Sequence, residues 1–214
     1  MGRRALRKID PNLDLSRHLR TVDDLTVPLA QESLFPSPAP LEVELGSGKG
    51  LFLHDASGEN PHHNFIGVEI ARKFAEFGAA RLARSERPNA LMFQGDGLKL
   101  FREFIGDETV CAVHVYFPDP WWKKRHRRRR VMNEAFLADA WRVLQPGGRL
   151  HFWTDVQEYF ETTLELIARA TRFTGPFDVP EKAATHDLDY RTHFERRMRL
   201  HNEVVYRAEF ARVV

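Results

Sequence analysis

From Leu41 onward the chain alternates short apolar runs with longer segments of helical period, and this alternation narrows its fold more than any other feature. Leu41–Leu45, Asn64–Glu69, Ala90–Gln94, Val110–Phe117 and Arg149–Thr154 have the length and composition of strands. The intervening Lys49–Ser57, Ala71–Arg87, Val131–Leu144 and Val156–Thr171 predict helices, the third ending at the stop-and-turn signal Gln145-Pro146-Gly147-Gly148. Such an alternation predicts an α/β fold, a mostly parallel sheet with helices on both faces. Further strands are expected near Phe173 and over Val204–Val213, around a polar loop at 176–192. Residues 1–40 are polar and then punctuated by Pro28, Pro36, Pro38 and Pro40, which predicts an N-terminal arm, partly irregular, with a short helix near 21–25. The remainder, 41–214, reads as one domain, long enough for a full core.

In open α/β sheets, ligands bind outside the carboxyl ends of the strands. Four acids stand at four successive strand ends here: Glu44, Glu69, Asp96 and Asp119. The first opens the turn Glu44-Leu45-Gly46-Ser47-Gly48-Lys49-Gly50, whose glycines allow close backbone approach. Gly50 after Lys49 breaks the P-loop pattern, and the spacing of Gly46, Gly48 and Gly50 does not give a dinucleotide fingerprint. A carboxylate directly before such a turn suits a ligand carrying an ammonium and a sulfonium better than a pyrophosphate. Glu69 follows Gly48 by about 20 residues, the distance at which an acid accepts ribose hydroxyls; it could equally cap the helix near Ala71. Asp96 could accept from an adenine amino group or cap the next helix. Together the four acids outline a pocket for S-adenosyl-L-methionine.

Asp119 also begins the most distinctive stretch, Pro118-Asp-Pro-Trp-Trp-Lys-Lys-Arg-His-Arg-Arg-Arg-Arg130. The net charge is only +2, yet residues 1–8 and 123–130 are strongly basic. A local basic face with aromatic neighbours predicts a polyanionic partner, and aromatic rings beside cations hold unstacked bases. Cys111, the sole cysteine, allows no intramolecular disulfide and reads as a core filler. His114 likewise reads as a satisfied core histidine. His62-His63 lacks ligand spacing with any nearby acid in sequence, so no metal is expected. No apolar run approaches a membrane span and no signal-peptide region precedes the arm, which predicts a cytoplasmic protein.

These pieces resemble the tRNA (guanine-N7)-methyltransferase family of the single-chain bacterial kind. The matching residues are Glu44-Leu-Gly-Ser-Gly-Lys-Gly, Gly67-Val-Glu-Ile, Gly95-Asp96, the 118–130 run, Thr154-Asp155 and Thr192-His-Phe-Glu195. The glycine turn is common to many methyltransferases; the Pro-Asp-Pro-Trp-x-Lys-x-Arg-His run is the specific part. The resemblance implies a Rossmann-like, class I S-adenosylmethionine-dependent methyltransferase that modifies a guanine in the tRNA variable region. It implies cofactor contacts from Glu44, Gly46, Gly48, Glu69, Asp96 and Asp119, with Asp119 catalytic. It also implies target-nucleotide contacts from Lys123, Asp155, Thr192, Phe194 and Glu195. The family usually carries lysine where this chain has His193, which would make the charge there pH-dependent. His201-Asn202 replace a glycine often found nearby.

Guanine N7 has a lone pair and no proton, so alignment rather than base catalysis is the task. A carboxylate such as Asp119 would favour the charge left on the purine. Asp155 and Glu195 could accept from the guanine's Watson–Crick edge, and Trp121 or Trp122 could stack on the extruded base, with core packing expected for at least one of them. Two rival readings are an RNA-binding protein that has lost activity and a methyltransferase of small molecules. Intact strand-end acids oppose the first, and the basic run opposes the second. The oligomeric expectation is a monomer or homodimer.

Overall fold

The computed structural model describes residues 6, 8–181 and 190–213; most of the basic 1–8 segment and much of the expected 176–192 loop lie outside them. Eight strands form one sheet: β1 (Leu19–Thr21), β2 (Leu41–Leu45), β3 (Asn64–Glu69), β4 (Ala90–Gln94), β5 (Val110–Tyr116), β6 (Leu144–Thr154), β7 (Thr174–Phe177) and β8 (Tyr206–Ala211). Their order is β1-β4-β3-β2-β5-β6-β8-β7. Pairing is parallel from β1 through β6, and β8 runs antiparallel to both β6 and β7.

The strands alternate sides as the pleat requires. Val43, Ile66, Val113, Leu150 and Phe152 enter one apolar cluster, which also takes Phe136 and Leu137 of α4 (Glu134–Val143) and Tyr159 and Ile167 of α5 (Gln157–Ala170). Phe65, Met92, Tyr116 and Trp153 turn to the other face, against Phe52 and Leu53 of α1 (Leu51–Glu59) and Ala75, Ala79 and Leu82 of α2 (Arg72–Arg84). Both faces are therefore dry, and the expected two-sided α/β architecture is what the chain adopts.

Two elements go beyond what the sequence pattern predicts. After β4 the chain makes one turn of helix, α3 (Gly97–Lys99), running into a π-turn over Leu100–Phe104. Near the C-terminus α6 (His193–Leu200) occupies a stretch too charged to show an apolar face in sequence. The predicted helix near 21–25 is a single 3₁₀ turn, Val22–Asp24. The Gln145–Gly148 signal does stop α4, but the chain runs on within β6 rather than turning away.

From residue 8 onward, the N-terminal arm is packed against the sheet. β1 adds an edge strand beside β4, while Val22 and Phe35 join the main apolar cluster at 1% and 6% exposure. Val22 sits directly over Gly95, where a Cβ would fall 2.7 Å from the valine Cβ and the backbone has φ +148°. Any side chain at Gly95 would displace the arm.

Candidate cofactor and tRNA site

The chain order of the strands reverses at β2, which lies between β3 and β5. A crevice at the carboxyl ends of β2 and β5 is the expected consequence. A cavity of about 650 Å³ opens there, between the glycine turn, Phe52, the start of α2 at Lys73 and Phe74, Tyr116-Phe117, and the first turn of α6. That volume lies within the usual range for small-molecule sites, about 300–1,000 Å³.

Gly46 and Gly48 hold φ of +81° and +53°, with nothing within 4 Å of where a Cβ would stand. The open side of this turn lets a ligand touch the backbone. The turn is already tied down: Glu69 accepts from Gly48 N (3.0 Å) with one carboxylate oxygen and from Ala71 N (2.8 Å) with the other. Glu69 thus makes the helix-entrance bond that its sequence position allows and secures the glycine turn as well. Glu44, 3% exposed, lines the cavity with Oε2 buried and unpaired. Burial, then the charge of Glu69, pushes its carboxyl up to about 8. A buried carboxyl oxygen with no hydrogen-bond partner is what a ligand's ammonium would complete, so the residues fit S-adenosyl-L-methionine.

Asp96 caps α3, accepting from Leu98 N at 2.9 Å, and its side chain is exposed. Asp119 is exposed as well, just beyond the end of β5. Neither lines the cavity, nor does Glu69. The four acids nonetheless stand at the carboxyl ends of four adjacent strands, β4, β3, β2 and β5, Glu44 as the last residue but one of its strand and Glu69 as the last of its own. At about 4.8 Å per strand they span roughly 14 Å along one edge.

A methyltransferase family model matches residues 38–208. The tRNA (guanine-N(7)-)-methyltransferase of Rhodopirellula baltica is 51% identical over 97% of this chain and 79% of its own length. That of Limosilactobacillus fermentum is 30% identical over 92% of each. The chain belongs to the tRNA (guanine-N7)-methyltransferase family. Among solved structures, an antibiotic-related methyltransferase aligns with a TM-score of 0.57 over 87% of this chain and 96% of that one. At 14% identity that likeness speaks for the fold alone.

The residues expected on the target-nucleotide side divide into displayed and buried groups. Thr192 caps α6 through Glu195 N (3.0 Å) and lines the cavity, as does Phe194, which packs on Phe117 with centroids 4.9 Å apart. Arg197 lies over the Phe194 ring at 4.2 Å. Asp155 is half-buried at the end of β6, its carboxyl raised by burial. Lys123 is exposed at the head of the basic run. Glu195 does not present a carboxylate to a guanine edge as expected. It is 3% exposed, with Oε2 accepting from Arg191 N (2.7 Å) and Oε1 near Arg207 (3.2 Å) and Arg199 (3.5 Å). Its charge holds the first turn of α6 in place from inside.

Three further expectations change. His193 accepts from Arg81 Nη2 at 2.8 Å; burial, then Arg81 and Lys49, pushes it down to about 4, so it stays neutral near neutral pH and carries no switching charge. Neither tryptophan enters the core: Trp121 packs beside His126 and under Arg129, and Trp122 is 69% exposed. His63 does have an acid beside it, Glu42, whose Oε1 lies 2.7 Å from Nδ1; strand pairing, invisible to local spacing, brings them together. His114 is satisfied as expected, between Glu42 (2.7 Å) and Tyr116 (2.9 Å).

Sequence reasoning does not single out Tyr116, Phe52, Lys73 or Arg197 as cavity walls. Of these, Tyr116 carries a usable signal, since it closes the strand that leads into Asp119.

Proposed function

We propose that this chain methylates N7 of a guanine in the variable region of tRNA, in the cytoplasm, using the strand-edge acids for the cofactor and the 118–130 run with α6 for the nucleotide. It is an S-adenosyl-L-methionine-dependent tRNA (guanine-N7)-methyltransferase. One observation carries the residue assignment: Glu44 Oε2, buried without a hydrogen-bond partner beside a glycine turn at the sheet's switch point.

When bound, the cofactor supplies an electrophilic methyl group on a sulfonium. Glu44 would pair with its ammonium, the Gly46–Gly48 backbone would lie against it, and Glu69 and Asp96 would accept from its hydroxyl and amino groups. The Phe194 and Phe117 rings offer an apolar wall on which the extruded purine can rest. Lys123 and Asp155 orient the nucleotide. Asp119 balances the positive charge that the purine acquires, an electrostatic contribution that needs no proton transfer.

Incubation with labelled S-adenosyl-L-methionine and bulk tRNA, followed by nucleoside analysis, tests the reading. N7-methylguanosine is the expected product. Label in any other nucleoside, or none in tRNA, would overturn it.

A further inference from the structure

At the sheet edge opposite the glycine turn, three side chains of different chemistry meet. Glu42 lies at the start of β2, His63 just before β3 and Cys111 near the start of β5, and one donor atom of each lies within 4.8 Å of the other two. The cysteine reaches this position through a bulge. Register steps from Leu41↔Val110 to Glu42↔Ala112 on one side of β5, and from Val110↔Leu144 to Ala112↔Arg149 on the other. Cys111 is skipped on both sides, and a bulge of this kind bends the strand and re-aims its side chain. Glu42 is held by its second oxygen, 2.7 Å from His114 Nε2. The group is reachable from solvent, because the His63 side chain is 37% exposed.

We propose that Glu42, His63 and Cys111 bind a divalent transition metal, zinc by the nature of the donors, with a fourth position open to water. Thiolate, imidazole and carboxylate together form a borderline-soft set that zinc accepts tetrahedrally, whereas calcium and magnesium want oxygen throughout. Zinc–sulfur and zinc–nitrogen bonds of about 2.3 and 2.0–2.1 Å put tetrahedral donors roughly 3.5 Å apart. His63 Nδ1 and Glu42 Oε1, 2.7 Å apart, must therefore part by somewhat under an ångström to admit the ion, a shift that the partly exposed His63 side chain can make. His114 behind Glu42 is the kind of outer hydrogen bond that fixes a ligating carboxylate. Binding forms metal–sulfur, metal–nitrogen and metal–oxygen bonds and releases the Cys111 thiol proton to solvent; a neutral His63 moves its ring proton to Nε2, and only an imidazolium releases a second proton. The ion would join β2, β3 and β5 at their amino-terminal edge, apart from the methyl-transfer site.

The test uses the full chain, reduced and stripped with a chelator, then titrated with Zn²⁺ against a chromophoric competitor and separately with Co²⁺. One equivalent of zinc, a thiolate-to-cobalt charge-transfer band and a zinc-dependent rise in Tm are expected. Cys111→Ser should abolish the band, and both it and His63→Gln should weaken zinc binding by at least about tenfold. Binding of S-adenosyl-L-methionine, measured by calorimetry, should remain that of the unmodified protein in both variants, which separates this inference from the methyltransferase reading. No stoichiometric zinc, or unchanged affinity in Cys111→Ser, overturns the proposal. Should a variant also lose cofactor binding, the cobalt band of the unmodified protein decides alone: its presence supports the site and its absence overturns it.

Discussion

Asp119 and Glu44 illustrate two uses of a carboxylate at one sheet edge. Asp119 is exposed and belongs to no apolar cluster, so Asp119→Asn should leave the melting temperature unchanged. Methyl transfer should fall on the order of 10²-fold or more, as when other transition-state electrostatic groups are removed; near-normal turnover would take Asp119 out of the mechanism. Glu44 is the buried counterpart. Its folded value of about 8 lies above the ordinary 4.5, so the folded state holds the extra proton between them. Its contribution to stability is therefore most favourable below about 4.5 and is lost as pH rises through about 8. An ammonium partner needs the ionised form. Cofactor binding at about pH 7 should release a proton, and affinity should tighten until pH reaches about 8. Calorimetry in buffers of different ionisation enthalpy reads that proton directly; a heat independent of buffer would show that Glu44 stays neutral on binding. Glu69→Ala removes one backbone bond from the glycine turn and one from the entrance of α2, and we expect cofactor affinity to fall by about 1.5–3 kcal/mol while tRNA affinity holds.

Within the basic 3₁₀ segment Lys124–Arg129 and its flanks, the arginines do different work. Arg130 is 8% exposed, donates to Pro120 O (2.8 Å), pairs with Glu158 (2.7 Å) and lies 4.4 Å over the Tyr159 ring. Arg127 shares Glu158 at 3.2 Å. These two tie the loop to α5, Arg130 from a buried position and Arg127 from an exposed one, whereas Arg125 and Arg128 are exposed and, among the described residues, bond to no part of α5. Arg125→Ala with Arg128→Ala should weaken tRNA binding and reduce the log–log salt slope by about 0.7–0.9 for each phosphate no longer neutralised. Unchanged affinity and slope would make this face a solvated one. Arg130→Ala should instead lower stability, by about 1–3 kcal/mol. That division is not legible in sequence, because Glu158 lies 28 residues from Arg130. The bounds of β2, β3 and β4 are legible, since in strands covered on both faces the apolar run and the strand coincide. The acids ending or following those strands stand out for the same reason. In α6 the only apolar residues are Phe194, Met198 and Leu200 among charges, and its readable signal is the cap, Thr192 followed three residues on by Glu195.

For the molecule as a whole, the arm is the part that propensity conceals, because a three-residue strand leaves almost no pattern. We propose that residues 8–40 act as part of the catalytic domain through Val22, which seats the Gly95-Asp96 turn. Val22→Ala should cost about 1.5–3 kcal/mol of stability and also weaken cofactor binding, read by thermal unfolding and calorimetry; an unchanged Tm would make the arm an appendage. The arm's placement also has a consequence in time. His18 bonds to Arg87 O, 69 residues further along the chain. Ribosomes add about 5–20 residues per second, so the arm emerges roughly 3–14 s before the strand that will receive it. Throughout that interval Val22 and Phe35 have no surface of their own to cover them. A nascent chain stalled before β4 should therefore be open to protease over residues 18–40, and one stalled well beyond β4 should close that stretch off.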